Sequence, residues 1–241
     1  MTFGFPSNFF MEFKPNPGKN LIREVKGKIW LRYPVKTHFV GAGESLEKIL
    51  EKYVLPYLKE NDIVVLGQKI VSLSQGKIIY KKDLKVGFWA KFLSKFAKKT
   101  PYGFSVGNPL KMQIAINLAG LPRIFFAGVL GALSKLLGVS GNFYRLAGHQ
   151  ISRLDGFYGG AFSQYEEMGI LPPKNCSGLC DKLKEKYDFS FVVADINDFG
   201  GTILGRSRDL KGKEKLIPEI LRDNPAGQAD QQTPILLIRE Q

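Results

Sequence analysis

Apolar and polar positions along the chain alternate between two periods, and the changes of period mark its elements. IWLRYPVKTHFV (29–40) is rich in aromatic and β-branched residues and is bounded by Gly41 and Gly43, the pattern of a strand. From Ser45 to about residue 58 the apolar positions Leu46, Ile49, Leu50, Tyr53 and Val54 recur at helical spacing. Glu44 and Ser45 suit the start of that helix, and Pro56 shortens or kinks it. In DIVVLGQKIVSLSQGKII (62–79), IVVL has the unbroken apolar character of a buried strand. The runs after Gly67 and Gly76 read as neighbouring strands around a functional turn.

KVGFWAKFLSKFAKK (85–99) predicts a basic amphipathic helix. Phe88, Trp89, Phe92, Leu93 and Phe96 form a face expected to dock on the protein core, the alternative being a helix that lies on an anionic membrane, with Lys91, Lys95, Lys98 and Lys99 around it. Helices are predicted over 110–118 and 124–137. The longest apolar stretch, 118–139, is interrupted by Pro122, Arg123 and Lys135, and its uninterrupted part is roughly half the length that crosses a bilayer, so a buried helix is expected. LCDKLKEKY and LIPEILRDN read as helices, FSFVVADIND (189–198) as an apolar strand ending in acids, and PILLIRE as a closing strand. Strands alternating with helices indicate an α/β or mixed α+β fold. Residues 1–28, with Pro15, Pro17 and Gly18, read as an irregular extension. Residues 29–241 then form the main domain, as one body or two interlocked subdomains.

Composition narrows the function classes. With 44% hydrophobic and 24% charged residues the 241-residue chain can bury a substantial core, and 26 Gly and 13 Pro exclude collagen-like or disordered readings. No self-similar period of a repeat protein is visible. The N-terminus lacks the basic region and clean apolar run of a signal peptide. Cys176 and Cys180 have no third Cys or nearby His to complete a zinc site, and they read as reduced thiols of a cytoplasmic protein. The net charge of +13 fits polyanionic ligands, an anionic membrane or nucleic acid, and does not choose among them.

Three segments carry candidate chemistry. In FVVADINDFGG, Asp195 and Asn197 are two apart and face one side of an extended chain, where both can reach one hard cation; Asp198 follows. The alternative is a strand-end turn with local Asn and Asp bonds. HQISRLDGFYGG offers Asp155, or merely an Asp-Gly turn, together with Arg153 and His149. In RDNPAGQADQQTPILLIRE a helix stops at Asp223–Asn224–Pro225 and an amide-rich loop follows. Its backbone N–H groups can cradle phosphate, and Gln228 or Asp230 can reach a metal. No Walker-type phosphate loop and no Ser–His–Asp or Cys–His signature is present.

In this order the segments resemble the coenzyme F-420-0:L-glutamate ligase family, the gamma-glutamyl ligases. The matching pieces are DIVVLGQKIVSLSQGKI (62–78), Asp155 in SRLDGFYGG, VVADINDFGG (192–201) and AGQADQQTPILLIRE (226–240). The resemblance implies the family's mixed α/β fold, a homodimer, and the use of GTP or ATP with magnesium or manganese. It implies L-glutamate as one substrate and a deazaflavin or folate carboxylate as acceptor, with no stable membrane or nucleic-acid partner. Carried across, Asp155 and Asp195 are metal ligands, with Gln228 as a third. Pro34, Val35, Lys36 and Thr37 fall in a first nucleotide-contacting segment, and Gln68, Lys69 and Ser72 in a second. Gly227 and Asp230 join them in the late loop, and Lys69, Arg153 and His149 are the candidate catalytic groups, with Arg145 a further cation. The family's Ser-Lys is Ser72–Leu73 here, with Lys69 as replacement, and its strand-end Thr is Ile196. Residues 111–150 have no clear counterpart. The reading from a different class is a non-catalytic basic module that binds an anionic membrane or nucleic acid.

Overall fold

A computed structural model describes residues 13–97, 106–139, 141–158, 162–198 and 200–241. The chain divides into two compact units, Met1–Gly76 with Pro173–Gln241, and Lys77–Pro172.

The first unit is built on a six-stranded mixed sheet in the order β1 (Ile22–Val25), β2 (Lys28–Val35), β9 (Ile235–Glu240), β3 (Ile63–Gly67), β7 (Ser190–Asn197), β8 (Gly200–Arg206). Only β3 and β7 pair in parallel; the other neighbours are antiparallel. β3 is apolar at every position, as are residues 191–194 of β7 and 235–238 of β9, because both faces are covered there. Ile63 and Val65 of β3 join Val192, Ala194, Leu236 and Ile238 in a core closed by Ile217 and Ile220 of α9 (Leu216–Ile220) and by Leu221 just past it. Val64 and Leu66, pointing the other way, are equally buried. α2 (Gln68–Ser74) and α8 (Cys176–Tyr187) pack on β7.

Local chemistry sets the helix ends. Ser45 caps α1 (Leu46–Tyr53) by accepting from the Lys48 N–H at 3.4 Å, with Glu47 in the first turn and Lys52 in the last. Pro56 falls in a separate 3-10 turn, so the helix stops five residues short of the expected end. Asn175 caps α8 by accepting from the Gly178 N–H at 3.3 Å. Cys176 and Cys180 are buried on that helix, and burial above all pushes the Cys180 thiol up to about 12. It is an inert core group rather than a nucleophile.

Two sequence expectations are corrected in this unit. Residues 1–28 are not irregular throughout, because Ile22–Val25 pair with Lys28–Leu31 in a hairpin. The segment after Gly67 is a helix, α2, rather than a second strand: Ile70, Val71 and Leu73 bury along it at helical spacing, which a short apolar run does not distinguish from a strand.

Two ion pairs brace the sheet. Arg32, 1% exposed, pairs with both carboxylate oxygens of Asp223 and donates to the carbonyls of Ile220 (3.0 Å) and Asn20 (2.6 Å). Arg239 grips Asp62 through two bonds of 2.7 Å, and the Asp62 side chain is fully buried.

The second unit contains a three-stranded antiparallel sheet, β4 (Ile78–Tyr80), β6 (Met168–Ile170), β5 (Asp155–Gly156), in that order. Its helices are α3 (Phe88–Ser94), α4 (Pro109–Ala119), α5 (Leu121–Leu136), α6 (Asn142–Ala147) and α7 (His149–Ser152). Met112, Ile114, Ala115, Ile124, Ala127, Ala147, Ile151 and Leu154 make its core. Asn108 caps α4, and Gly120, with φ of 83°, turns the chain into α5. Among the described residues no single helix is long and apolar enough to cross a membrane. α4 and α5 pass by length and composition only as a pair, and they are bent by 116°.

The expectation of a buried helix over 118–139 is overturned. On α5 only Ile124 and Ala127 are buried, while Phe125, Phe126, Val129, Leu133 and Leu136 are exposed. The aromatic face of α3 does not dock either: its buried residues are Ala90 and Ser94, and Phe88, Trp89, Phe92 and Phe96 are exposed. Lys98 and Lys99 lie outside the described residues.

Candidate active site

Strand directions bring four predicted segments to one edge of the six-stranded sheet. β2 and β3 both run antiparallel to β9, and β3 runs parallel to β7. The carboxyl ends of β2, β3 and β7 and the amino end of β9 therefore share an edge. Val35 and Leu66 both pair with Ile235, and Gly67 pairs with Ala194. Beyond the strands the edge is stitched further. The Thr37 N–H donates to the Gln232 carbonyl at 2.9 Å and the Gly67 N–H to the Pro234 carbonyl at 2.8 Å. A Cβ on Gly67 would stand 3.0 Å from the Pro234 oxygen, so this crossing favours glycine. Ligand sites of α/β sheets gather at such strand ends.

On this edge Pro34 and Val35 are buried and offer backbone only, while Lys36 is exposed. Thr37 is buried, its hydroxyl donating to the His38 carbonyl at 2.8 Å. Gln68 and Lys69, half-buried, form the first turn of α2. Ser72 lies on the enclosed side of that helix with no exposed surface, and its hydroxyl has no hydrogen-bond partner among the described residues.

β7 delivers Asp195 and Asn197 on one of its sides, opposite Thr202 and Gly200 of β8. Ile196, on the other side, packs against the core, which accounts for an apolar residue where the resembling family has a hydroxyl. Asp198 just beyond is a hub. It accepts from Asn224 Nδ2 and Lys19 Nζ, each at 3.1 Å, and from Gln228 Nε2. The bond from Asn224 first, then that from Lys19, holds its carboxyl below the usual carboxylate range.

The late loop is tied mainly to itself. Asn224 Nδ2 donates to the Gly227 carbonyl at 3.0 Å, the Gln228 N–H to Gln231 Oε1, and the Gln231 N–H to the Gln228 carbonyl at 3.1 Å. Asn16 Nδ2 donates to the Pro225 carbonyl and to Thr233 Oγ1, both at 2.9 Å. The expected cradle of free backbone N–H groups is corrected accordingly: those of Gly227, Gln228 and Gln231 are committed inside the loop. Gln228 and Asp230 are exposed, and Gly227 is half-buried at φ of 66°. Asn16 and Lys19 were invisible to sequence reasoning, since no local pattern signals bonds to residues about two hundred positions away.

The remaining predicted residues belong to the second unit. Asp155 opens β5 opposite Ile170, half-buried, and its Oδ1 accepts from the Gly156 N–H at 2.8 Å. Gly156 has φ of 86°, and a Cβ there would lie 2.0 Å from the Met168 carbonyl oxygen, so only glycine fits. Arg153 follows α7 directly, while His149 begins that helix and Arg145 lies in the last turn of α6, both exposed. Asp155 and Asp195 thus sit in different units. Among the described residues no three His, Cys, Asp or Glu side chains gather closely enough to hold a metal ion by themselves.

The fold and this acid-bearing strand edge define an α/β protein with the ordered segments of a glutamate-joining enzyme family. The sequence model of that family, F420-0:Gamma-glutamyl ligase, matches residues 34–193, and the chain belongs to it. The chain is also similar to an uncharacterised protein of Methanocaldococcus jannaschii. The two are 31% identical over 84 residues, which is 34% of this chain and 28% of that protein.

Proposed function

We propose that this protein is a ligase that joins the amine of L-glutamate to a carboxylate of coenzyme F-420-0, or of a folate, using GTP or ATP with magnesium or manganese. Family membership over residues 34–193 supports the ligase reading. The structural observation that carries it is the gathering of residues 34–37, 67–69, 195–198 and 227–232 on one sheet edge, although the sequence scatters them over the whole chain.

A carboxylate is a poor electrophile. In the proposed reaction one acceptor oxygen attacks the terminal phosphorus of the nucleotide, which leaves as the diphosphate. The glutamate amine then attacks the acyl carbon, the C–O bond to phosphate breaks, and an amide forms with loss of a proton. The donor chemistry of the site fits a hard divalent ion. Asp195 and Asn197 present oxygen on one side of a strand end, and an ion bound with a nucleotide takes only one or two carboxylates, the rest of its shell being phosphate and water. Asp195 would hold it, with the Gln228 side-chain carbonyl as a second protein donor from the same edge. Such an ion supplies charge neutralisation along the phosphates.

The chain's own cations do the remaining work. Lys36 and Lys69, on the same sheet edge, meet phosphate charge. Incubation with glutamate, each nucleotide, each metal and each acceptor tests the reading. An acceptor heavier by one glutamyl residue, with release of nucleoside diphosphate, is expected. Acceptors left unchanged under every combination would defeat it.

A further inference from the structure

Residues 84–154 hold ten of the chain's 35 lysines and arginines and none of its 22 acids. Most of the net charge of +13 therefore sits in this one stretch, which supplies α3 to α7 of the second unit. The same stretch exposes its large apolar side chains. On α5, Phe126, Val129, Leu133 and Leu136 recur at helical spacing as one stripe, extended by Leu137 just past the helix end. Leu136 and Leu137 are 84% and 82% exposed. The helix is firmly held from behind. Gly131 lies so close to Phe143 of α6 that a Cβ would approach it to 3.0 Å, and Arg123 Nε donates to the Leu146 carbonyl at 2.8 Å. α3, which touches α5, carries a ridge of aromatic rings. Phe92 stands 6.0 Å from Phe88 and 5.1 Å from Phe96 between ring centroids, and Trp89 sits beside them. Lys91 on α3, Lys95 at its end and Lys135 on α5 are exposed along these apolar faces.

We infer that this surface docks on an anionic phospholipid bilayer, with α5 and α3 lying in the interface. Apolar side chains fixed on a rigid helix and ringed by lysines are what such an interface binds, through buried apolar area and attraction to acidic headgroups. α5, with 16 residues, extends about 24 Å, enough to lie along the surface; no described helix is long and apolar enough to cross. Charge complementarity argues against a second copy of this chain, since a two-fold contact would press two acid-free basic faces together. A nucleic acid would satisfy the lysines and leave Leu133, Leu136 and Leu137 facing a phosphate backbone. The inference stands independently of the ligase activity.

Co-sedimentation of the whole chain with vesicles of phosphatidylcholine, alone or mixed with phosphatidylglycerol, tests it. Binding to the mixed vesicles is expected to exceed that to the neutral ones by about ten-fold at roughly 0.1 M salt and to weaken as salt rises. Brominated lipid should quench Trp89, which is 46% exposed, while Trp30, 3% exposed, stays unaffected in a Trp89→Phe variant. The double substitution Leu133→Glu with Leu137→Glu alters only exposed positions. It should abolish sedimentation with the circular dichroism spectrum unchanged. No binding to acidic vesicles would overturn the inference. So would binding indifferent to the double substitution, tighter binding to an oligonucleotide that displaces the vesicles, or a dimer lost in the same variant without any lipid binding.

Discussion

Gly67 and Ala194 are partners across the parallel strands β3 and β7, so Gln68, where the chain leaves β3, and Asp195, where β7 runs on beyond β3, stand on the same level of the same edge. That register joins a segment near residue 70 to one near residue 195. With β9 antiparallel between β2 and β3, it brings the late amide-rich loop to the same place.

Asp195→Asn removes a charge from the strand end without changing its shape. Metal-dependent nucleotide binding, measured by calorimetry with manganese and GTP, should be lost. Stability should change by about 1 kcal/mol or less, roughly 2–4 °C in Tm for a chain of this size. Unaltered nucleotide binding would remove Asp195 from the site.

Asp198 predicts a pH dependence of defined sign. Its folded-state pKa is depressed by Asn224 and Lys19, so the stabilisation it gives is present above the ordinary carboxylate value and is lost as pH falls through the lower folded one. Urea midpoints of the native chain and of Asp198→Asn should differ at neutral pH and draw together as acid titrates the carboxylate. A difference that stays constant through the acid range would show that the hub does not act through its charge.

Among the described residues, Arg239→Ala leaves the fully buried Asp62 carboxylate with the Lys59 N–H, at 2.9 Å, as its remaining partner. Loss of one partner of a buried pair costs about 3–5 kcal/mol, and chemical denaturation should register a loss of that size. A change under about 1 kcal/mol would mean that water reaches Asp62.

Gly156→Ala drives a methyl group into the Met168 carbonyl at a backbone angle that disfavours side chains. The β5–β6 pairing should open, with a stability loss of about 3 kcal/mol or more and faster amide exchange at Phe157, whose N–H donates to Met168 O at 3.0 Å. Retained protection at Phe157 would contradict this geometry.

Strands whose both faces are buried were legible in the sequence. IVVL, FVVA and ILLI announce themselves by unbroken apolar runs, and Ser45 and Pro56 mark the helix between β2 and β3 at its start and soon after its end. The helix at 68–74 was not legible, because seven residues with four buried fit either period. Candidate site residues were found one segment at a time from acids and amides at strand ends. What the sequence does not carry is partnership over distance. Asn16 and Lys19, in a stretch read as irregular, hold Thr233 and Asp198 through bonds no local pattern encodes. The bare faces of α3 and α5 were misread for a related reason. Helical periodicity says which residues share a face and is silent on what that face meets.

The central claim is that nucleotide binds at the edge where β2, β3 and β7 end. Photocrosslinking with an azido-GTP in the presence of manganese, followed by peptide mapping, tests it directly. Label is expected in peptides containing Lys36, Lys69 or Gln228, competed by unmodified GTP and lost in Asp195→Asn. Competable label confined to peptides outside that edge, unaffected by the substitution, would contradict the account.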